Sequence, residues 1–119
     1  MNISVLAISF DANDVSQLAQ FWAHAFHSTV NDGATEDFAS IAAGTDSRLG
    51  AMLTFHKVPE GKTVKNRLHI DLQAADIVAE ADRLTSLGAQ QMRSLAENNN
   101  RWISLRDPEG NEFDLVAGG

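Results

Sequence analysis

The side chains best suited to hold a metal ion or move a proton fall in three short runs of this 119-residue chain: Thr54 with His56, His69 with Asp71, and Glu112 with Asp114. Within each run the groups stand two positions apart, which puts them on one face of an extended strand. A neutral imidazole is a metal ligand and an ordinary imidazole titrates near neutrality, so His beside carboxylates suits either a divalent ion or proton transfer. His56 and His69 with a carboxylate would make a two-His-one-carboxylate set, which leaves open positions on iron or a similar ion. Without a metal, His69 with Asp71 or Asp114 would serve as a general base or orient a polar ligand. The chain has no cysteine, which excludes disulfides, thiolate metal sites and a cysteine nucleophile.

These runs need strands to carry them. Leu6/Ile8/Phe10, Leu53/Phe55, Leu68/Ile70/Leu72, Ile103/Leu105 and Phe113/Leu115 alternate with other residues at the two-residue period of a half-buried strand. Weaker strands are expected at 37–42 and 89–94. Val15, Leu18, Ala19, Trp22, Ala25 and Phe26 recur at helical spacing and predict a helix over about 14–26, with Asp14 as N-cap. Ile77, Ala81, Leu84 and Leu87 predict a second helix over about 76–87, with Gly88 placed for a left-handed C-cap. Pro59-Glu60-Gly61 and Asp107-Pro108-Glu109-Gly110-Asn111 read as turns, and Asn98-Asn99-Asn100 as a hairpin tip.

The chain also repeats itself. Ile8-Ser9-Phe10-Asp11-Ala12-Asn13-Asp14-Val15 superposes on Ile70-Asp71-Leu72-Gln73-Ala74-Ala75-Asp76-Ile77 at a constant offset of 62. One domain of two β-α-β-β-β halves follows, with module 1 at about 1–58, a connector at about 59–66 and module 2 at about 67–119. If the apolar alternates pack under the helices, pleating sends Ser9, Thr54, His56, His69, Asp71, Gln73, Trp102, Ser104, Arg106, Glu112 and Asp114 to the opposite face. That face is either a solvated sheet surface or, given Met52 and Trp102 among the polar groups, the wall of a small-molecule pocket.

Charge and hydropathy narrow the partners. A formal charge of -7 and a pI near 4.8 argue against nucleic-acid phosphates and accommodate a cationic ligand. Lys57, Lys62, Lys65 and Arg67 form a basic run that would suit an anion but reads as a solvated connector. No basic leader and no apolar stretch near the roughly 20 residues of a membrane helix are present, so a cytoplasmic protein with no membrane partner is expected.

Three stretches in order, Asp14-Val15 through Leu18-Ala19-Gln20-Phe21-Trp22, residues 58–72, and Arg106-Asp107-Pro108-Glu109-Gly110-Asn111-Glu112-Phe113, resemble a glyoxalase-like family of the glyoxalase/bleomycin-resistance/dioxygenase, or vicinal oxygen chelate, superfamily. The resemblance implies an α+β fold in which two βαβββ modules curl a mixed sheet around a cavity, with helices on the outer face, often as a homodimer. It implies metal-dependent isomerases, lyases, dioxygenases and thiol transferases, or metal-free drug-binding proteins. Carried over, His69 takes the first-strand ligand position of the second module and Asp114 the position where Glu is usual. The first-module counterparts are Ala7 and approximately Thr54, neither a good ligand, which puts glyoxalase activity itself in doubt.

The resulting expectation is a small-molecule-binding protein, with metal-assisted lyase, isomerase or dioxygenase chemistry on a small oxygenated compound as the reading to test. His69 and Asp114 would be catalytic, and His69, Asp114 and His56 would hold a divalent Zn, Ni, Fe or Mn ion. Met52, Thr54, Trp102 and Glu112 would line the pocket. The alternative is metal-free sequestration of a cationic or aromatic drug-like molecule against Trp22 or Trp102.

Overall fold

In the computed structural model, which describes residues 2–44, 49–97 and 100–118, Asp14 and Asp76 each open a helix with the same backbone geometry. Their φ,ψ values are -122°, 90° and -121°, 90°. Each carboxylate accepts from a free N–H of the first turn, Gln17 N at 3.1 Å and Ala79 N at 3.0 Å. Helix α1 (Val15–Ala25) and helix α2 (Ile77–Leu87) therefore start and stop at positions 62 apart. Gly88 ends α2 at φ 124°, and the N–H of Ala89 returns to Leu84 O at 3.0 Å. That left-handed backbone is open to glycine at little cost.

The chain divides into two compact units, one reaching to Gly61 and the other starting at Lys62. In the first, β1 (Ala7–Ala12), β2 (Phe38–Ile41) and β3 (Met52–Lys57) form a mixed sheet in the order β1-β3-β2, with β1 and β3 parallel. In the second, β4 (Ile70–Ala74), β5 (Gln90–Glu97), β6 (Asn100–Arg106) and β7 (Glu112–Ala117) take the order β4-β7-β6-β5, with β4 and β7 parallel. Each helix packs on the strands of its own sheet. Both sheets are open among the described residues.

The second unit holds the whole βαβββ order. The first has a reduced counterpart of β5 over residues 28–35: Asn31 N donates to Ser40 O at 2.9 Å and Thr35 N to Phe38 O at 2.8 Å, without a continuous ladder. Asn31-Asp32-Gly33, with Gly33 at φ 90°, breaks the extended run there. Asn98 and Asn99 of the expected hairpin tip lie outside the described residues. The two residues flanking them, Glu97 and Asn100, pair with each other.

Val15, Leu18, Ala19 and Trp22 of the α1 stripe are buried with Leu53 and Phe55 of β3, and the Trp22 ring lies 5.5 Å from Phe10 and 5.9 Å from Phe26. Ile77, Ala81 and Leu84 of α2 are buried, as are Ile103, Leu105, Phe113 and Leu115 of β6 and β7. Three expectations fail at the sheet edges. Leu6 and Leu68 are 79% and 88% exposed, and Ile8 is exposed as well, although alternation assigned all three to the core. Leu6 and Leu68 precede the first residues of β1 and β4, and those strands are outermost in their sheets. Alternation tells which face a residue occupies, not whether a helix extends over that edge.

The turn between β6 and β7 follows its sequence. Buried Asp107 accepts from Glu109 N, Asn111 N and Asn111 Nδ2 at 2.9–3.0 Å, and Gly110 takes φ 90°. This pins the two strands that carry Ser104, Arg106, Glu112 and Asp114.

Candidate functional site

Strand register assembles the site in the second unit. Asp71 of β4 stands opposite Asp114 of β7, Asp114 opposite Ser104 of β6, and Ser104 opposite Arg93 of β5. One row thus crosses all four strands on a single face. His69 sits immediately before β4, two residues from Asp71, so its ring reaches the same row. Its Nδ1 is 2.9 Å from Asp71 Oδ1 and 4.0 Å from Asp114 Oδ2, while Ser104 Oγ donates to Asp114 Oδ1 at 2.7 Å. One ligand atom from each of His69, Asp71 and Asp114 lies within 4.8 Å of the others.

Asp71 is the member that sequence reasoning counted only as a partner of His69, not as a donor toward a metal. Its two-residue spacing from His69 was the available signal. With Nδ1 donating to Asp71, the other imidazole nitrogen keeps its lone pair for a proton or a ligand atom.

His69, Asp114, Ser104, Trp102 and Glu112 line a cavity of about 740 Å³, with Leu95 and Met92 of β5 as apolar wall and Lys62 to Lys65 at its border. Glu112 is not a free donor in it. Lys62 Nζ reaches its Oε1 at 2.7 Å, Asn66 N donates to its Oε2 at 3.0 Å, and Asn66 Nδ2 donates to its backbone O at 2.9 Å. The Lys62 hydrogen bond, followed by the Asn66 N–H and the charges of Lys62 and Lys65, holds the Glu112 carboxyl below its ordinary range against an opposing effect of burial. Glu112 therefore fastens the 62–66 segment to β7.

The remaining expected residues, Met52, Thr54 and His56, lie on β3 of the first unit. There Ser9 Oγ and Thr54 Oγ1 are 2.7 Å apart, Thr54 Oγ1 is 3.2 Å from His56 Nε2, and the His56 ring meets Phe38 edge-on at 5.1 Å. Ser9, Thr54 and Ser40 are paired across β1, β3 and β2 as Asp71, Asp114 and Ser104 are across β4, β7 and β6. Register thus makes Thr54 the counterpart of Asp114, and Ala7 stands 62 positions before His69. The first unit offers hydroxyls where the second offers carboxylates. Trp22, an expected ligand platform, is 1% exposed and belongs to the core under α1, so of the two tryptophans only Trp102 faces a cavity.

One imidazole nitrogen and two carboxylates on a shared row make a donor set that fits a divalent cation with its other positions left to water or ligand oxygen. All three groups are at least partly exposed, which favours a loosely held ion. Among the described residues no helix is long and apolar enough to cross a membrane.

Paired α+β units with this strand order and a polar cavity face define a protein of the vicinal oxygen chelate type. The chain belongs to the glyoxalase-like domain family, which it matches over residues 7–116. No curated protein matches its sequence. Among solved structures it is similar to the fosfomycin resistance protein FosX from Listeria monocytogenes, with TM-score 0.78 and 15% identity over 100% of this chain and 94% of that one. A glyoxalase-related enzyme from Fulvimarina pelagi gives TM-score 0.73 and 15% identity over 97% and 88%. A lactoylglutathione lyase from Agrobacterium tumefaciens gives 0.68 and 14% over 99% and 96%. At these identities the likeness is one of fold.

Proposed function

We propose that the chain binds a small oxygenated molecule in the cavity of its second unit, and that His69, oriented by Asp71 and facing Asp114, is the group that works on it. The observation that carries this reading is the His69 Nδ1 to Asp71 Oδ1 contact of 2.9 Å beside Asp114 on the cavity wall. Asp71 fixes the orientation of the ring. Ser104 occupies one oxygen of Asp114 and leaves the other toward the imidazole. Trp102 and Leu95 exclude water from one side of a bound molecule, which strengthens every polar contact there.

His69, Asp71 and Asp114 would hold a divalent ion, which when bound supplies Lewis-acid polarisation of a ligand oxygen. Since Ala7 and Thr54 add no strong ligand, affinity is expected to be weak. Metal-free binding of an aromatic molecule against Trp102 is the second reading, and those same two positions favour it.

Calorimetric titration with Mn²⁺, Ni²⁺ and Zn²⁺, alongside a thermal-shift ligand screen, tests the assignment, since a ligand selective for the folded state raises stability. Weak binding that disappears in His69→Ala is the expected result. Tight stoichiometric binding that survives His69→Ala would place the site elsewhere.

A further inference from the structure

We propose that the ligand of this cavity carries an oxyanion, a carboxylate or a phosphonate, held by the guanidinium groups of Arg93 and Arg106; this rests on reading the second unit's cavity as the ligand site. The chain as a whole is acidic, at -7, yet its cavity is not. Lys62, Lys65, Arg93 and Arg106, four of the nine lysines and arginines in the chain, line it, against the carboxylates of Glu112 and Asp114.

The acids are already engaged. Glu112 stands directly across the β6–β7 ladder from Arg106, the position from which it would pair with that arginine, but its carboxylate is turned to Lys62 and Asn66. Asp114 is held by Ser104 and faces His69. Arg93 stands across from Ser104, a hydroxyl. Neither the Arg93 nor the Arg106 guanidinium has an ion pair or hydrogen bond among the described residues. Arg83, by contrast, is paired with Glu80 at 2.9 Å.

Arg106 follows Ser104 by two residues on β6, and Arg93 is the cross-strand partner of Ser104, so the two guanidiniums leave the sheet from diagonal positions on one face. Diagonal neighbours are roughly 7–8 Å apart at the backbone, within reach of long side chains. Two like charges so placed repel, and an oxyanion between them removes that repulsion while accepting several charge-assisted hydrogen bonds. From β6 to β7 is one strand spacing of roughly 4.8 Å. A ligand anchored at the arginines would therefore cross Ser104 and present its other end to Asp114 and His69, with Trp102 and Leu95 along its length.

The test is an isosteric series on the full chain: phenylphosphonate, benzoate and phenyltrimethylammonium, titrated calorimetrically at low and high salt. At least one anion is expected to bind about tenfold or more tighter than the cation, with a preference that weakens as salt rises. The two anions compared with each other show which oxyanion fits. Arg93→Gln and Arg106→Gln should each lower anion affinity by about tenfold and leave Mn²⁺ uptake in place. Conversely, His69→Ala should keep the anion preference even if Mn²⁺ uptake is lost, so failure of the metal assignment and failure of the anion assignment read out separately. Absence of an anion preference, including absence of binding by any of the three probes, overturns the proposal, as does a preference unchanged in the Arg93→Gln/Arg106→Gln protein with native circular dichroism.

Discussion

At the scale of single residues, Glu112 and Asp71 each do something that composition alone does not reveal. The Glu112 carboxyl is held below its ordinary value of 4.5, chiefly by the hydrogen bond from Lys62. A group whose folded pKa is depressed stabilises the fold above its unfolded pKa, and that contribution is lost as pH falls through the folded value. Glu112→Gln is accordingly expected to lower stability by about 1 kcal/mol at pH 7, the scale of a partly exposed charge-assisted bond. Urea midpoints of the two proteins should converge as pH falls below the ordinary carboxyl range, and a gap that does not narrow in acid would mean that charge is not the cause. Asp71→Asn keeps the side-chain shape but withdraws the charged acceptor from His69. A partner that orients a ligating histidine typically contributes about 10–100-fold to metal affinity, and Asp71 is also one of the three donors, so divalent binding should fall by at least that order while the fold is retained. Unaltered Mn²⁺ affinity in Asp71→Asn would remove Asp71 from the site.

At the scale of elements, the caps test whether the two units are built alike. Asp14→Ala and Asp76→Ala each leave one first-turn N–H without its acceptor and should each cost about 1 kcal/mol. Gly88→Ala should cost about as much, because the residue sits at φ 124° and its Cβ would come to 3.4 Å from Pro108 Cγ. Denaturant titration checks all three, and a cap variant as stable as the parent would show that helix end to be held by packing alone. These positions were legible in the sequence because capping is local: an acid three residues before a free N–H, a glycine after the last apolar turn. The strands were legible at their centres, where alternation is unbroken. Edge positions such as Ile8 and Leu68 were not, since their burial depends on what covers a neighbouring strand. The row Asp71, Asp114 and Ser104 was half legible: each residue could be assigned a face, whereas the meeting of Asp71 with Asp114 depends on register between β4 and β7, strands more than 30 residues apart. The bonds that engage Glu112 were not legible, because its partners, Lys62 and Asn66, come from 50 and 46 residues earlier through a segment with no periodicity of its own.

At the scale of the whole molecule, the apolar surface of the first residues asks for a partner. Ile3, Val5 and Leu6 are 99%, 73% and 79% exposed, and Ile8 follows them on β1. β1 is an edge strand, with β3 as its one neighbour in the sheet among the described residues. An exposed edge rich in large apolar side chains is a template for association, and soluble proteins normally blunt such an edge with charge or proline. No charged residue or proline stands between Ile3 and Phe10. We expect this edge to be covered by a second copy of the chain; the family resemblance implies a homodimer but not which face forms it. Sedimentation velocity should therefore find a species at twice 12.9 kDa at micromolar concentration. Replacing Leu6→Lys together with Ile8→Lys should shift it to the monomer, because two like charges on each copy would face their symmetry equivalents across the edge. A 12.9 kDa monomer at every accessible concentration of the parent protein, or a dimer indifferent to both lysines, would show that β1 is not the contact.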